Sequence, residues 1–424
     1  MNQIEYEEEF LQILKEELVP AAGCTEPISL AFGGAKAREL LGETPDSITI
    51  KCSGNLIKNI RCVTVPNTGN LVGIEASILA GIVGGDSSKK LEVLSGLNES
   101  HIEQIQYLLN KKIIKTELLE TPLNLHYILS CKSKNHSCEV EVKNLHTNIT
   151  NIKLDGKEIF HKETSNEEFF GVETDRSFLT VERILNFANN IDINKIKPLI
   201  EPQIEDNMAI ANEGLKRRFS VSIGPTIIRH DRSIYGKMKA YAASASEARM
   251  SGCSMPVITN SGSGNQGIAT SVPIVLYAQH KDLEEKKMYR ALVLSNLLTI
   301  YQKGFIGRLS AFCGAISAAV STGAALTYIE GGNLEQIKMT IINSLANVSG
   351  VVCDGAKPSC ASKIVTGLEA SFLGHFLAME NHSYNPFSGI IKKDADETIS
   401  AIGKMASQGM KETDYVILNI MLEK

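Results

Sequence analysis

Between Arg308 and Glu330 runs LSAFCGAISAAVSTGAALTYI, residues 309–329, a stretch of 21 positions without a formal charge. That length is enough to span a bilayer, so its reading decides between a membrane protein and a helical soluble one. The stretch is mostly Ala, Ser, Gly and Thr, and no second span of similar length accompanies it. It therefore reads as a helix buried on all sides within a soluble domain. Working outward, apolar spacing predicts helices over 178–190, 202–217, 235–251, 283–305, 334–349 and 361–380. Near the start, 3–19, 26–41 and 72–84 also read as helices.

The stretch ITIKCSGNLIKNIRCVTVP, 48–66, reads as two β-rich runs around SGN, followed by the turn PNTG at 66–69. From about 90 to 160 the pattern changes. KLEVL, KIIKTELL, LHYILSC, CEVEVKNL and NIKLDGKEIF alternate like strands around one helix, HIEQIQYLLNKK. The fold class is α+β: a mainly helical core from 1–88 and 165–424, with a smaller α/β unit on an antiparallel sheet inserted at 89–164. SNEEFF marks the return to helix.

The chain has 424 residues, 43% of them hydrophobic and 21% charged, with a net charge of −5. This balance gives no reason to expect nucleic acid or an anionic membrane as partner. The start, MNQIEYEEEF, is acidic and amphipathic, unlike a signal peptide. Nine cysteines, an odd number, suggest reduced thiols in the cytoplasm. Trp is absent, so the core rests on aliphatic side chains.

Four motifs bear on chemistry. In PAAGCTEPISLAFGGAKA, 20–37, Thr25 reads as the N-cap, with Cys24 just outside the helix. That position favours a thiolate; the plainer reading is a small buried hydrophobe. Cys131, His136 and Cys138, near His126 and His146, suit zinc by type but not by spacing, and strand alternation explains both cysteines. Gly262-Ser263-Gly264-Asn265-Gln266-Gly267 satisfies G-x-G-x-x-G, but Pro273 and the absence of a following acidic partner exclude a dinucleotide site. What remains is a donor-rich loop whose Asn260, Ser261, Ser263, Asn265 and Gln266 are candidates to hold a carboxylate. Finally, Cys313 lies among tiny residues, and Cys353 and Cys360 bracket the loop DGAKPS. Three such thiolates suit an iron–sulfur cluster, although C-x6-C is not a common cluster run and, from spacing alone, three buried structural cysteines are the plainer reading.

Together these segments carry a resemblance over nearly the whole chain. AFCGAISAAVSTGAALTYIEGG with NVSGVVCDGAKPSCASK resembles the cluster-binding region of the iron–sulfur L-serine dehydratase α-chain family. PAAGCTEP, SGNLIKN at 53–59 and PNTG at 66–69 look more like its L-cysteine desulfidase branch, which includes uncharacterised bacterial proteins. The resemblance implies a [4Fe–4S] cluster on Cys313, Cys353 and Cys360, with Cys24 as the catalytic thiol. Its motifs place Asn55, Lys58, Asn67 and Thr68 beside the substrate. Unlike serine dehydratases, this chain has no cysteine after Cys360, so no tail thiol completes the cluster; Cys24 or a small molecule must.

The implied activity is α,β-elimination of L-cysteine to sulfide, pyruvate and ammonia, with Cys24 as base or resting fourth ligand. Three protein sulfurs leave one iron with an exchangeable position. L-serine dehydration at the same cluster is the nearest alternative. A pyridoxal-phosphate enzyme using Lys357 and a non-enzymatic amino-acid or cluster sensor are the others. The partner expected is a small amino acid, and a homo-oligomer stays open.

Overall fold

The computed structural model describes residues 5–163, 174–217 and 219–423; SNEEFF and the boundary at 164/165 lie outside them. The chain opens with α1 (Glu7–Glu17), β1 (Pro20–Ala22), α2 (Thr25–Leu41), β2 (Ser47–Cys52), α3 (Gly54–Ile60) and α4 (Gly73–Gly84). Then come α5 (Glu99–Asn110) and strands β3 (Ile114–Leu118), β4 (His126–Lys132), β5 (Ser137–Lys143), β6 (Ile149–Leu154) and β7 (Lys157–His161). The remainder is helical apart from β8: α6 (Val181–Asn190), α7 (Ile193–Lys216), α8 (Ile223–His230), α9 (Ile234–Met250), β8 (Pro256–Ile258) and α10 (Gly264–His280). It ends with α11 (Glu285–Ile306), α12 (Gly314–Ile329), α13 (Leu334–Val348), α14 (Cys360–Met379), α15 (Ala395–Lys404) and α16 (Lys411–Leu422). The class is α+β with a helical core, as the sequence predicts.

The charge-free stretch resolves into a loop, Leu309–Cys313, and the 16-residue α12. α12 is buried almost throughout and packs against α10, α11, α13 and α14. At about 1.5 Å per residue it is shorter than a bilayer core, and among the described residues no helix is long and apolar enough to cross a membrane.

The six-stranded sheet has the order β3-β2-β4-β5-β6-β7. It is mixed rather than wholly antiparallel, because β2 runs parallel to β3 and antiparallel to β4. β2 comes from the segment before the 89–164 unit, so hydrogen bonding ties that unit to the N-terminal chain. Two other expectations need correcting. The second run after SGN is helical, since Leu56, Ile57 and Ile60 fall on one buried helical face as α3. KLEVL is no strand: Asp86 accepts from Ser88 N and starts a 3-10 turn over Ser87–Glu92.

Two apolar cores result. One gathers α1, α6, α7 and α9–α15; the other gathers α2–α5 with the sheet. α2 and α4 cross closely because a Cβ on Gly81 would stand 1.9 Å from Ala31 O, and one on Gly34 2.5 Å from Ile78 O. A small third cluster joins Cys24, Val63 and Met250, with Ala356 and Cys360 packed on it. The candidate site lies there.

Candidate active site

Two short strands assemble the first half of the site. β1 pairs antiparallel with β8, setting Ala22 opposite Pro256, so PAAGCTEP lies beside the loop ITNSGSGNQG. Gly23 turns the chain at φ 74°, and a Cβ there would stand 2.3 Å from Pro66 of the PNTG turn. Cys24 itself, not Thr25, is the N-cap of α2. Thr25 instead donates its hydroxyl to Gly262 O at 2.9 Å, locking α2 to the loop.

The thiol of Cys24 is 3% exposed and donates to Glu26 Oε2 at 3.1 Å. Burial first, and the Glu26 carboxylate second, push it well above the ordinary thiol value, while Arg249 pulls the other way. The expectation of a thiolate stabilised by the helix terminus is therefore corrected: desolvation outweighs a helix dipole.

The second half is built from the cysteine loop. Phe312 and Val352 form an antiparallel bridge, with Cys313 N donating to Val351 O at 3.0 Å and Cys353 N to Ala311 O at 2.6 Å. Cys313 caps α12 and Cys360 opens α14, so both sulfurs sit at helix N-termini. Burial and the neighbouring Cys353 and Cys360 sulfurs push Cys313 up to about 12, and burial with Cys353 also raises Cys360. The three thiols thus act on one another electrostatically. Lys363, held by Asp354 and Val352 O, lies close enough to act on Cys313 and Cys353. Lys357 is engaged with Asp354 at 2.6 Å. Among the described residues no three His, Cys, Asp or Glu side chains converge on a single ion.

The loop after β8 carries Asn260, Ser261 and Ser263. Asn260 is fully buried and donates to Asn296 Oδ1 at 2.9 Å, with Ser261 donating to Asn260 Oδ1 at 2.8 Å. Ser263 caps α10 without a side-chain bond. Asn265 Oδ1 accepts from Ser246 and Arg249 at 3.0 and 3.1 Å. Gln266 faces Gly314, where a Cβ would meet its Nε2 at 2.7 Å, and its buried Oε1 has no partner.

On the far side of the cysteine loop, Gly355 lies against Lys58 O, 2.3 Å from where its Cβ would stand. The Lys58 ammonium is buried and pairs with Asp414 of α16, and Asn55 donates to Asn124 Oδ1 at 2.8 Å and to Asp414 at 3.3 Å. Asn67, at φ 60°, donates to Leu94 O, and buried Thr68 donates to Val65 O. The side chains of all four are thus engaged within the fold, and the approach to the cysteine segments is made by Lys58 O on Gly355 and by Pro66 on Gly23. Of the zinc candidates, Cys131 and Cys138 face each other across β4 and β5, His136 pairs with Asp155 and His126 with Glu141.

Sequence reasoning missed the charged groups around this loop. A Cβ on Gly262 would stand 2.9 Å from Arg308 and 3.2 Å from the His146 ring. His146, weighed only as a zinc ligand, is buried with Nε2 unpartnered, and burial lowers it to about 4. Arg308 and Arg176 both grip buried Glu17, at 2.8 and 2.6 Å.

A helical core is joined to a mixed sheet; Cys24 and Cys360, at the N-termini of α2 and α14, share one small apolar cluster, while Cys313, at the N-terminus of α12, belongs to the helical core. The serine dehydratase alpha chain profile matches residues 88–419. The UPF0597 protein of Lachnoclostridium phytofermentans is 47% identical over 97% of this chain and 99% of its own. That of Treponema denticola is 45% identical over 98% of each, and that of Clostridium perfringens 39% over 98% of each. The chain belongs to the serine dehydratase alpha chain family. The profile spans Cys313, Cys353 and Cys360 but not Cys24, Asn55 or Lys58; the relatives span all of them.

Proposed function

We propose that the protein is an iron–sulfur-dependent lyase acting on a small amino acid, and more narrowly an L-cysteine desulfidase. The observation that carries this is the gathering of Cys313, Cys353 and Cys360 by one bridge and two helix N-termini. The donor set fits a [4Fe–4S] cluster: three soft sulfurs, mutually interacting, with a cationic Lys363 beside them to offset negative charge. When bound, the cluster supplies a Lewis-acidic iron to the β-substituent.

The chain's own residues handle the proton and the carboxylate. Cys24 rests as a thiol; only with substrate bound does its proton pass to Glu26 Oε2, 3.1 Å away, and the thiolate so formed, a strong base because burial disfavours it, removes the Cα proton. Loss of hydrosulfide from Cβ leaves aminoacrylate, which tautomerises and takes up water to give pyruvate and ammonia. The buried loop of Asn260, Ser261, Ser263, Asn265 and Gln266 excludes water and orients the amino acid. Lys58 and Asn55 act as anchors only when Asp414 withdraws from them.

L-serine is the second reading, differing only in the leaving group. Anaerobic protein supplied with iron and sulfide should turn brown, bind iron, and release sulfide and pyruvate from L-cysteine with higher kcat/KM than it dehydrates L-serine. Colourless protein that releases neither product would overturn the lyase reading.

A further inference from the structure

Arg249 lies in the last turn of α9 and is 2% exposed. Its Nη1 donates to Asn265 Oδ1 at 3.1 Å, yet its Nε has no partner. Among the described residues no carboxylate stands within ion-pair reach of its guanidinium, in contrast to Arg308 and Arg176, which share Glu17. A buried guanidinium without an anion is costly, so its place calls for one.

The surroundings say where that anion sits. A Cβ on Gly264 would stand 2.4 Å from Nε and 2.7 Å from Cζ; only glycine lets the guanidinium lie on the first turn of α10. The N-cap Ser263 makes no side-chain bond to that turn, so the helix dipole and the guanidinium favour negative charge at one place. Met250, the next residue, packs with Cys24. Gln266, in the same first turn of α10, keeps a buried acceptor, Oε1, without a donor. An α-amino acid offers the matching pair, a carboxylate and an ammonium.

Resting on the lyase reading, we propose that Arg249 and the uncapped N-terminus of α10 bind the substrate's α-carboxylate. Asn265 orients the guanidinium through Oδ1, and Gln266 Oε1 accepts from the α-ammonium. This makes the α-carboxylate the specificity determinant and leaves the β-substituent free to vary.

The test is calorimetric binding of L-alanine, which has no leaving group, against L-alaninamide, which has no carboxylate, to anaerobically reconstituted protein. Wild type should prefer alanine by about 30-fold or more. Arg249→Gln should abolish the preference and Arg249→Lys restore part of it. Asn265→Asp, which places a carboxylate on the guanidinium, should also abolish it, and decides the matter if Arg249→Gln fails to fold. A folded variant of either kind with the wild-type preference, or a wild type with none, overturns the proposal. Iron content and product release judge the lyase reading separately: a preference without turnover leaves an amino-acid-binding protein, and turnover with the preference intact in Arg249→Gln removes the arginine alone.

Discussion

Cys24 points its thiol hydrogen at Glu26, Sγ to Oε2 3.1 Å, in a setting 3% exposed to solvent. On the lyase reading this pair supplies the base that removes the Cα proton. Cys24→Ala should therefore leave iron content and the visible spectrum unchanged while sulfide release falls at least a hundredfold. A changed spectrum in that variant would make Cys24 a cluster ligand instead.

Cys353 is only half-buried and is tied to its neighbours through the main chain, N to Ala311 O at 2.6 Å. Cys353→Ala should keep a cooperative melt but lose most of the bound iron and sulfide and the brown absorbance. Metal analysis per chain, alongside the melt, checks this. Iron retained at wild-type level would remove Cys353 from the ligand set.

Glu17 carries two guanidinium groups while almost fully buried. Burial alone would raise its carboxyl above the ordinary 4.5, but Arg308 and Arg176 hold it below. Its stabilisation is present above the unfolded value and is lost as pH falls through the depressed folded value. Glu17→Gln should cost about 1–3 kcal/mol near neutrality, because the buried carboxylate is lost to the partly buried Arg308 and Arg176 is left with Glu16 alone. The acid limb of Tm against pH should flatten in the variant.

Lys58, 1% exposed, pairs with Asp414 of α16. Asp414→Ala should strand that ammonium, cost about 3–5 kcal/mol, and release α16 to proteolysis within 404–422. Lys58→Met combined with Asp414→Leu should recover most of the loss. Unchanged cleavage rates in the single variant would mean the pair does not dock the helix.

Much of this was readable from the chain. The long helices follow from 3.6-residue spacing, whereas the three cysteines stood out only through the resemblance to the serine dehydratase segments, their setting alone reading as buried structural thiols. α3 was not readable as helix, because LIKNI is too short for its period to separate helix from strand. The parallel pairing of β2 with β3 was hidden because partners such as Ile48 and Ile114 are separated by three helices and a 3-10 turn. Arg249, His146 and Glu26 gave no local signal; each is an ordinary polar residue in its own helix or loop, and only tertiary folding removes it from water. The Cys24 pKa was misjudged for the same reason, since the helix terminus is visible in sequence and burial is not.

The pairing of Pro20–Ala22 with Pro256–Ile258 has a consequence for biosynthesis. During synthesis Val63 and Pro66 follow Cys24 closely, whereas Met250 and the Gly262 loop, which complete its enclosure, come more than two hundred residues later. During that interval neither Gly262 nor Cys360 has been made. The enclosure of Cys24 thus waits on the later half of the chain.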